Sequence, residues 1–487
     1  MAADSPVLFR PGRNCYRVAR AHRAALLIDG EAYLRAFAAA ALRATHSIVI
    51  VGWDFHSQTR LHSSEGGVPE QLGDFLNFLV RRNPRLRIFI LAWDYPVVFG
   101  RGREPPAGSD GGWQPHPRIR FHYDSNCPLG AAHHQKIVVV DGTVAFCGGI
   151  DLTLGRWDTT AHRRADPRRT NAGETESYSP VHDVMLAVDS GAARALQSIA
   201  SERWRQGTGR ALLISDTGSD PWPATLVATF SDVDVALART APATPAEQAI
   251  AEVETLYLDM IAAAKQYIYI ESQYFTAKVL GEALAARLAE PHGPEVVVVL
   301  RLGSSGWLEA PTMAALRTVL LQKLHAADAH GRFQAWYPDM PGETEYELHS
   351  KLLIVDDEWL RVGSANFANR SMGLDTECDL VIGARGDSTT RAAIAAARTT
   401  LLAEHLDVSE HDVQEAFAVN GSLGATVAAL SKDSGRSLRR FERLDEPSAT
   451  IVALANGVTD PERPKGLNSW EFDPGRSRRS RSKGARE

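Results

Sequence analysis

The sequence predicts an α/β protein of two similar halves around a largely buried mixed sheet, and three observations predict it. A short polar string enclosing four apolar residues occurs twice. The segments leading up to each copy follow the same order. The chain has 487 residues, more than one hydrophobic core usually holds.

The first string is "HHQKIVVVDG", starting at His133, and the second is "HSKLLIVDDEW", starting at His349. A run such as Ile-Val-Val-Val reads as a buried strand. His134 and His349, Lys136 and Lys351, and Asp141 and Asp356 are all related by one shift (349 − 134 = 351 − 136 = 356 − 141 = 215). One such string is compatible with chance. Two in the same internal register require a common architecture.

The preceding elements support the repeat. In the first half, the helical pattern "GEAYLRAFAAAALRAT" leads to the strand "SIVIVGWDF". The helix "LGDFLNFLVRR" then leads to "LRIFILAWDY", and the strand "IRFHYD" precedes His134. In the second half, "AEVETLYLDMIAAAKQ" leads to "YIYIESQYF", "LGEALAARLAE" leads to "EVVVVLRLG", and "RFQAWYP" precedes His349. Strands alternating with amphipathic helices imply α/β layering.

This order divides the chain into a first half at 1–207, a linker at 208–228, a second half at 229–410 and an extension at 411–487. The linker is rich in Gly, Ser, Asp and Pro. The extension ends in "RSRRSRSKGARE", basic and poor in apolar residues, which reads as a disordered tail. Three long loops, beginning at His56, Gly100 and Thr159, read either as lids over a site or as tolerated surface insertions.

A net charge of −6, from 53 basic and 59 acidic residues, argues against a nucleic-acid footprint over the whole protein. The N-terminal stretch lacks the pattern of a secretory signal, and no apolar run approaches the ~20 residues of a membrane span. Cys15, Cys127, Cys147 and Cys378 show no paired spacing. That favours a reducing compartment over disulfides or zinc. The expectation is a soluble, cytoplasmic monomer that meets membranes peripherally; a protein exported without a signal would look the same.

Residues two apart on a strand share a face, so His134 and Lys136 point together, as do His349 and Lys351. Each string continues to a small-residue pair: Gly148-Gly149 with Asp151, and Gly363-Ser364 with Asn366. Two imidazoles and two ammonium groups, with hydroxyl and amide donors, are complementary to a phosphodiester. One histidine would attack phosphorus while the other passes a proton to the leaving group. That scheme requires no metal or other cofactor.

The two strings resemble the paired HxKxxxxD motifs of the phospholipase D superfamily. The flanks "GGIDLTLGRWD", "PVHDVMLAV", "YIYIESQYF" and "NRSMGLDTECDLVI" resemble its two-motif phospholipase branch, and the likeness runs from about residue 15 to about residue 410. The resemblance implies two similar α/β sandwich halves with pseudo-twofold symmetry, one active site at their interface, and a covalent phosphohistidine formed without metal. It implies His134 as nucleophile and His349 as general acid/base, roles that the symmetry makes exchangeable. Lys136, Lys351, Ser364 and Asn366 would hold the phosphate. Asp183 and Glu377 stand where the family places carboxylates that orient the histidines. Asp141 and Asp356 complete the motif set, at the far strand ends, where structural support is the better reading. The first copy departs from the second, with Gly149 and Asp151 in place of Ser and Asn.

His133 and His182 read as packed structural histidines. Trp53, Trp93 and Trp307 lie near strand ends, where they would line a substrate pocket or belong to the core. The favoured function is a phospholipase D that hydrolyses the distal phosphodiester of a glycerophospholipid at a membrane surface, with water or an alcohol as acceptor. A cardiolipin synthase-like phosphatidyltransferase and a superfamily nuclease are the enzyme alternatives. A lipid-binding scaffold without turnover is the non-enzymatic one.

Overall fold

In a computed structural model the chain is described over residues 8–62, 66–94, 104–212, 214, 218–245, 247–303, 309–342, 346–441 and 446–461. The two motif strings form equivalent β-hairpins. In the first, strand Ile137–Val140 pairs antiparallel with Val144–Gly148, with Ile137 opposite Cys147. In the second, Lys351–Val355 pairs with Trp359–Gly363, with Leu352 opposite Val362. Both registers differ by the same 215 residues seen in the sequence (352 − 137 = 362 − 147).

Each hairpin lies beside three parallel strands. The first half uses Ser47–Gly52, Arg87–Trp93 and Ile119–Asp124, and the second uses Tyr267–Ser272, Glu295–Leu300 and Phe333–Asp339. The helices before and between these strands match the sequence reading within a few residues, for example Glu252–Ala263 and Leu72–Arg82.

Two twelve-residue strands, one ahead of the first helix of each half, join the halves. Arg17–Ile28 and Phe230–Ala241 pair antiparallel from Arg17–Leu237 to Ala24–Phe230. On their other edges, the first pairs with Val184–Asp189 and the second with Glu377–Gly383. Sixteen strands thereby form one hydrogen-bonded sheet among the described residues.

The Ile-Val-Val-Val run is explained by burial on both faces. Ile137 and Val139 join a core shared by both halves, with Leu352, Ile354 and Val362 and with helices Ser190–Thr208 and Ser388–Leu406. Val138 and Val140 face the other way, into a core with helices Asp29–Leu42 and Leu72–Arg82. Burial of each such side chain is worth about 2 kcal/mol. With both faces covered, the free ends of these strands are where polar chemistry can sit.

Much of the segment after residue 410 packs onto the second half. Strand Ser437–Arg440 pairs with Phe333–Asp339, and Val413, Leu423, Val427 and Leu438 enter the shared core. Asp460 is buried and accepts hydrogen bonds from the Thr276 hydroxyl at 2.5 Å and the Arg370 backbone N–H at 2.7 Å. The basic tail and Trp307 lie outside the described residues.

Candidate active site

The backbone before each hairpin is tied to the opposite half. The His134 N–H donates to Thr376 O at 3.0 Å, and the His349 N–H donates to His182 O at 2.8 Å. The side chains repeat the exchange. His134 Nδ1 lies 3.0 Å from Glu377 Oε2 and 3.1 Å from Oε1, while His349 Nδ1 lies 2.6 Å from Asp183 Oδ2. Each half therefore supplies a histidine to one pair and a carboxylate to the other. An Nδ1–H held by a carboxylate leaves Nε2, on the far side of the ring, with its lone pair.

Burial, reinforced by repulsion from Lys136 and Lys351, holds the His134 imidazole well below its usual range. Burial, with Lys351, Arg156 and Lys136, does the same to His349. Burial raises the carboxyl groups that hold them, Asp183 to about 7 and Glu377 in the same direction. Lys351 is lowered to about 7, chiefly by burial and against the pull of Asp183. Before substrate arrives, the cluster favours neutral imidazoles.

The lysines reach the same centre but differ in company. Lys136 Nζ forms an ion pair with Asp151 Oδ2 at 3.0 Å, and both side chains are only 3% exposed. Lys351 Nζ contacts the His349 carbonyl and lies 3.4 Å from Gln273 Oε1. Arg156 adds a third cation, bonded to Glu347 at 3.2 Å.

Ser364, read from the sequence as a phosphate ligand, is committed elsewhere. Its hydroxyl donates to Glu377 Oε2 at 2.5 Å and accepts from the Cys378 N–H at 3.0 Å. It holds the carboxylate that holds His134. Gly149, at the matching place in the first half, is explained by the same space. A Cβ there would stand 2.0 Å from Asp183 Oδ1, so only glycine lets that carboxylate approach. Asn366 is buried, and its Oδ1 receives no hydrogen bond from the described residues.

Asp141 and Asp356, placed with the catalytic set by the motif, are not brought to the cluster. Asp141 accepts from the N–H groups of Thr45, His46 and Ser47, at 2.7, 2.8 and 2.9 Å. Asp356 accepts from Lys265, Gln266 and Tyr267 at 2.6, 2.8 and 2.8 Å. Each sits in its hairpin turn at positive φ, followed by another positive-φ residue, Gly142 or Asp357. The physical reason is geometric: a strand of four residues in the first hairpin and five in the second separates each turn from the histidine end. The carboxylates cap the loop entering the neighbouring strand.

His133 is buried between Asp124, at 3.3 Å, and the Thr376 hydroxyl, at 3.2 Å. Trp53 and Trp93 pack together at 5.9 Å between ring centroids, with Ala132 in the same small cluster. His182 belongs to a buried network that the sequence reading missed. Its Nδ1 lies 2.6 Å from Glu404 and its Nε2 lies 2.9 Å from Glu271, which also accepts from the Ser350 hydroxyl at 2.7 Å. Donor atoms of Asp29, His162, His182 and Glu404 all lie within 4.8 Å of one another, and these are residues whose chemistry suits a divalent cation. They occur once each along the chain, so no spacing announces them.

This is an α/β protein with a cluster of two histidines and two lysines shared between its halves. A family model described as "Phospholipase D" matches residues 120–281, and one described as "Cardiolipin synthase, PLD-like domain" matches residues 257–396. Phospholipase D alpha 1 of Carica papaya is 24% identical over 509 residues, covering 74% of this chain and 62% of that protein. Phospholipase D alpha 1 of Zea mays is 25% identical over 522 residues, covering 77% and 64%. The chain thus spans just under two thirds of the length of these relatives. Among solved structures, phosphatidylserine synthase of Haemophilus influenzae Rd KW20 shares the fold, with TM-score 0.54 and 12% identity over 80% of this chain and 89% of that one. The chain belongs to the phospholipase D superfamily.

Proposed function

We propose that this protein is a phospholipase D acting on glycerophospholipids at a membrane surface. The observation that carries the reading is the crossed pair, His134 on Glu377 and His349 on Asp183, beside Lys136 and Lys351. In the proposed reaction, Nε2 of His134 attacks phosphorus and the bond to the headgroup oxygen breaks. His349 delivers a proton to that oxygen, and a phosphatidyl group remains on His134. Water then gives a proton back to His349 and attacks phosphorus, releasing phosphatidate; an alcohol in place of water gives a phosphatidyl-alcohol.

The neutral imidazoles suit the first step, because the attacking nitrogen must be unprotonated. The negative phosphate would offset the repulsion from Lys136 and Lys351 and so favour protonation of the second imidazole. The lysines and Asn366 would bind the phosphate oxygens as charge accumulates. Four free cysteines accord with a reducing, cytoplasmic setting. Among the described residues no helix is long and apolar enough to cross a membrane, which fits a peripheral encounter with lipid.

The test is incubation with phosphatidylcholine vesicles, with and without a primary alcohol. Phosphatidate and choline are expected, with a phosphatidyl-alcohol when alcohol is present. Dominant formation of a phosphatidyl-alcohol, with almost no phosphatidate at low alcohol, would favour the transferase. Cleavage of DNA without choline release would favour the nuclease.

A further inference from the structure

Single exposed aliphatic side chains are ordinary, whereas a group of them on one face marks a surface that meets something apolar. Among the described residues, seven large aliphatic side chains are exposed, and five of them line one arc beside the active site: Leu129, Leu302, Val319, Leu454 and Val458. Leu129, at 85% exposed, and Val458, at 58%, stand furthest into solvent on it. The other two, Val227 and Val419, lie in the linker and on helix Glu410–Asn420.

Two arginines tie the arc together. Arg370 donates from Nη2 to Gly130 O and from Nη1 to Thr459 O, both at 2.9 Å. Gly130 follows Leu129 and Thr459 follows Val458, so one guanidinium joins the two most exposed positions. The segment 449–459, which carries Leu454 and Val458, packs against helix Glu309–Ala327, which carries Val319. From that helix Arg317 donates to Arg301 O and, at 2.9 Å, to Leu302 O.

Both ends of the arc adjoin the catalytic groups. At one end, Asp375 accepts from Arg370 Nε at 2.5 Å and from the Ala132 N–H at 2.7 Å, two residues before His134. At the other, Arg301 Nη1 donates to Glu347 Oε1 at 3.4 Å, two residues before His349.

Resting on the phospholipase reading of this site, we propose that the arc is the face that docks on a glycerophospholipid bilayer, with Leu129 and Val458 entering its apolar layer. The occupant follows from what the arc surrounds. A lipid diester reaches His134 and His349 only from a bilayer held against their side of the molecule. Aliphatic side chains there give the acyl region an apolar seat while the phosphate meets the cations of the cluster. Charge agrees, because Arg317 and Arg370 stand beside the arc at the level of the phosphates.

The test reads binding apart from turnover. Binding to sucrose-loaded phosphatidylcholine vesicles is measured by co-sedimentation in the His134→Ala background, where lipid is not consumed. Leu129→Glu with Val458→Glu is expected to weaken binding about tenfold or more, and Val419→Glu, off the arc, to leave it within a factor of about two. With His134 intact, the same double substitution should lower choline release from vesicles about tenfold or more. Release of p-nitrophenol from soluble bis(p-nitrophenyl) phosphate should stay within a factor of about two, which also shows that the variant is folded. No binding by His134→Ala alone, undiminished binding by the double variant, or an equal loss from Val419→Glu overturns the proposal. So does a wild-type dimer in sedimentation velocity that the double substitution turns into monomer, since the arc would then join two copies of the chain. Vesicle binding through the arc with no choline release by the wild type would sink the phospholipase reading alone.

Discussion

Glu377 and His134 lie 243 residues apart in the chain and meet at 3.0 Å, each from a different half. The mirrored contact, Asp183 with His349, spans 166 residues. Neither motif histidine finds its carboxylate in its own half, so both pairs form only when the halves assemble. The same crossing brings the two imidazoles within electrostatic reach, so that His134 acts on His349.

Removing the charge from one carboxylate should misorient its ring while keeping its shape. Glu377→Gln and Asp183→Asn are each expected to lower kcat for choline release by about 100-fold or more, by analogy with tautomer loss in other histidine–carboxylate units. Ser364→Ala, which removes a donor to Glu377, should cost less, about tenfold. Initial rates on vesicles, with circular dichroism to show retained fold, check the order. Equal effects of Ser364→Ala and Glu377→Gln would assign Ser364 a direct role on substrate.

The acid–base balance of the cluster sets a pH dependence. Burial and the lysines hold both imidazoles well below 6.5, so the nucleophile stays unprotonated until the pH falls below that value. On the other side, Asp183 is raised to about 7 and Lys351 is lowered to about 7. As pH rises through 7, the His349–Asp183 pair loses the proton needed for the leaving group and Lys351 loses its charge. The profile of kcat/KM is expected to peak on the acid side of pH 7 and to fall above it. A maximum above pH 8 would contradict this balance.

The motif aspartates should matter for stability rather than chemistry. Burial alone would raise the Asp141 carboxyl, but hydrogen bonds from Thr45, Ser47 and His46 outweigh it and hold the group below its ordinary value. A lowered carboxyl contributes stability that is present above the unfolded value of about 3.9 and is lost as pH falls through the folded one. Asp141→Asn is expected to cost about 2–4 kcal/mol, as for loss of several bonds to a charged acceptor. It should also flatten the fall in Tm between pH 4 and 2, while kcat per folded molecule stays within a factor of about two. Denaturation and activity measured on one preparation check this; a large fall in kcat with unchanged stability would return Asp141 to the catalytic set.

What was legible in the sequence was what repeats. The 215-residue shift exposed both hairpins, both histidines and both lysines, because the same physical task was solved twice. The order of helices and strands followed from periodicity. Asp183 and Glu377 were visible as residues, but the crossing of their partners depends on how two folded halves meet. The joining strands, Arg17–Ile28 and Phe230–Ala241, escaped because they precede the first helix read in each half and carry charged residues on their open faces. Ser364 carried a signal that fitted two acceptors, phosphate or carboxylate, and only the 2.5 Å contact to Glu377 distinguishes them. His162, His182, Glu271 and Glu404 come from four distant segments, and their convergence is a property of the fold alone.

If His134 and His349 share one reaction, a variant without the acid should stop at the intermediate on His134. The His349→Ala variant would be mixed with bis(p-nitrophenyl) phosphate, whose leaving group needs no proton, and its peptides then weighed. A stable phosphoryl adduct is expected on the peptide containing His134, formed with one equivalent of p-nitrophenol and absent from His134→Ala. Release of p-nitrophenol with no adduct on His134, or an equal release by His134→Ala, would contradict it.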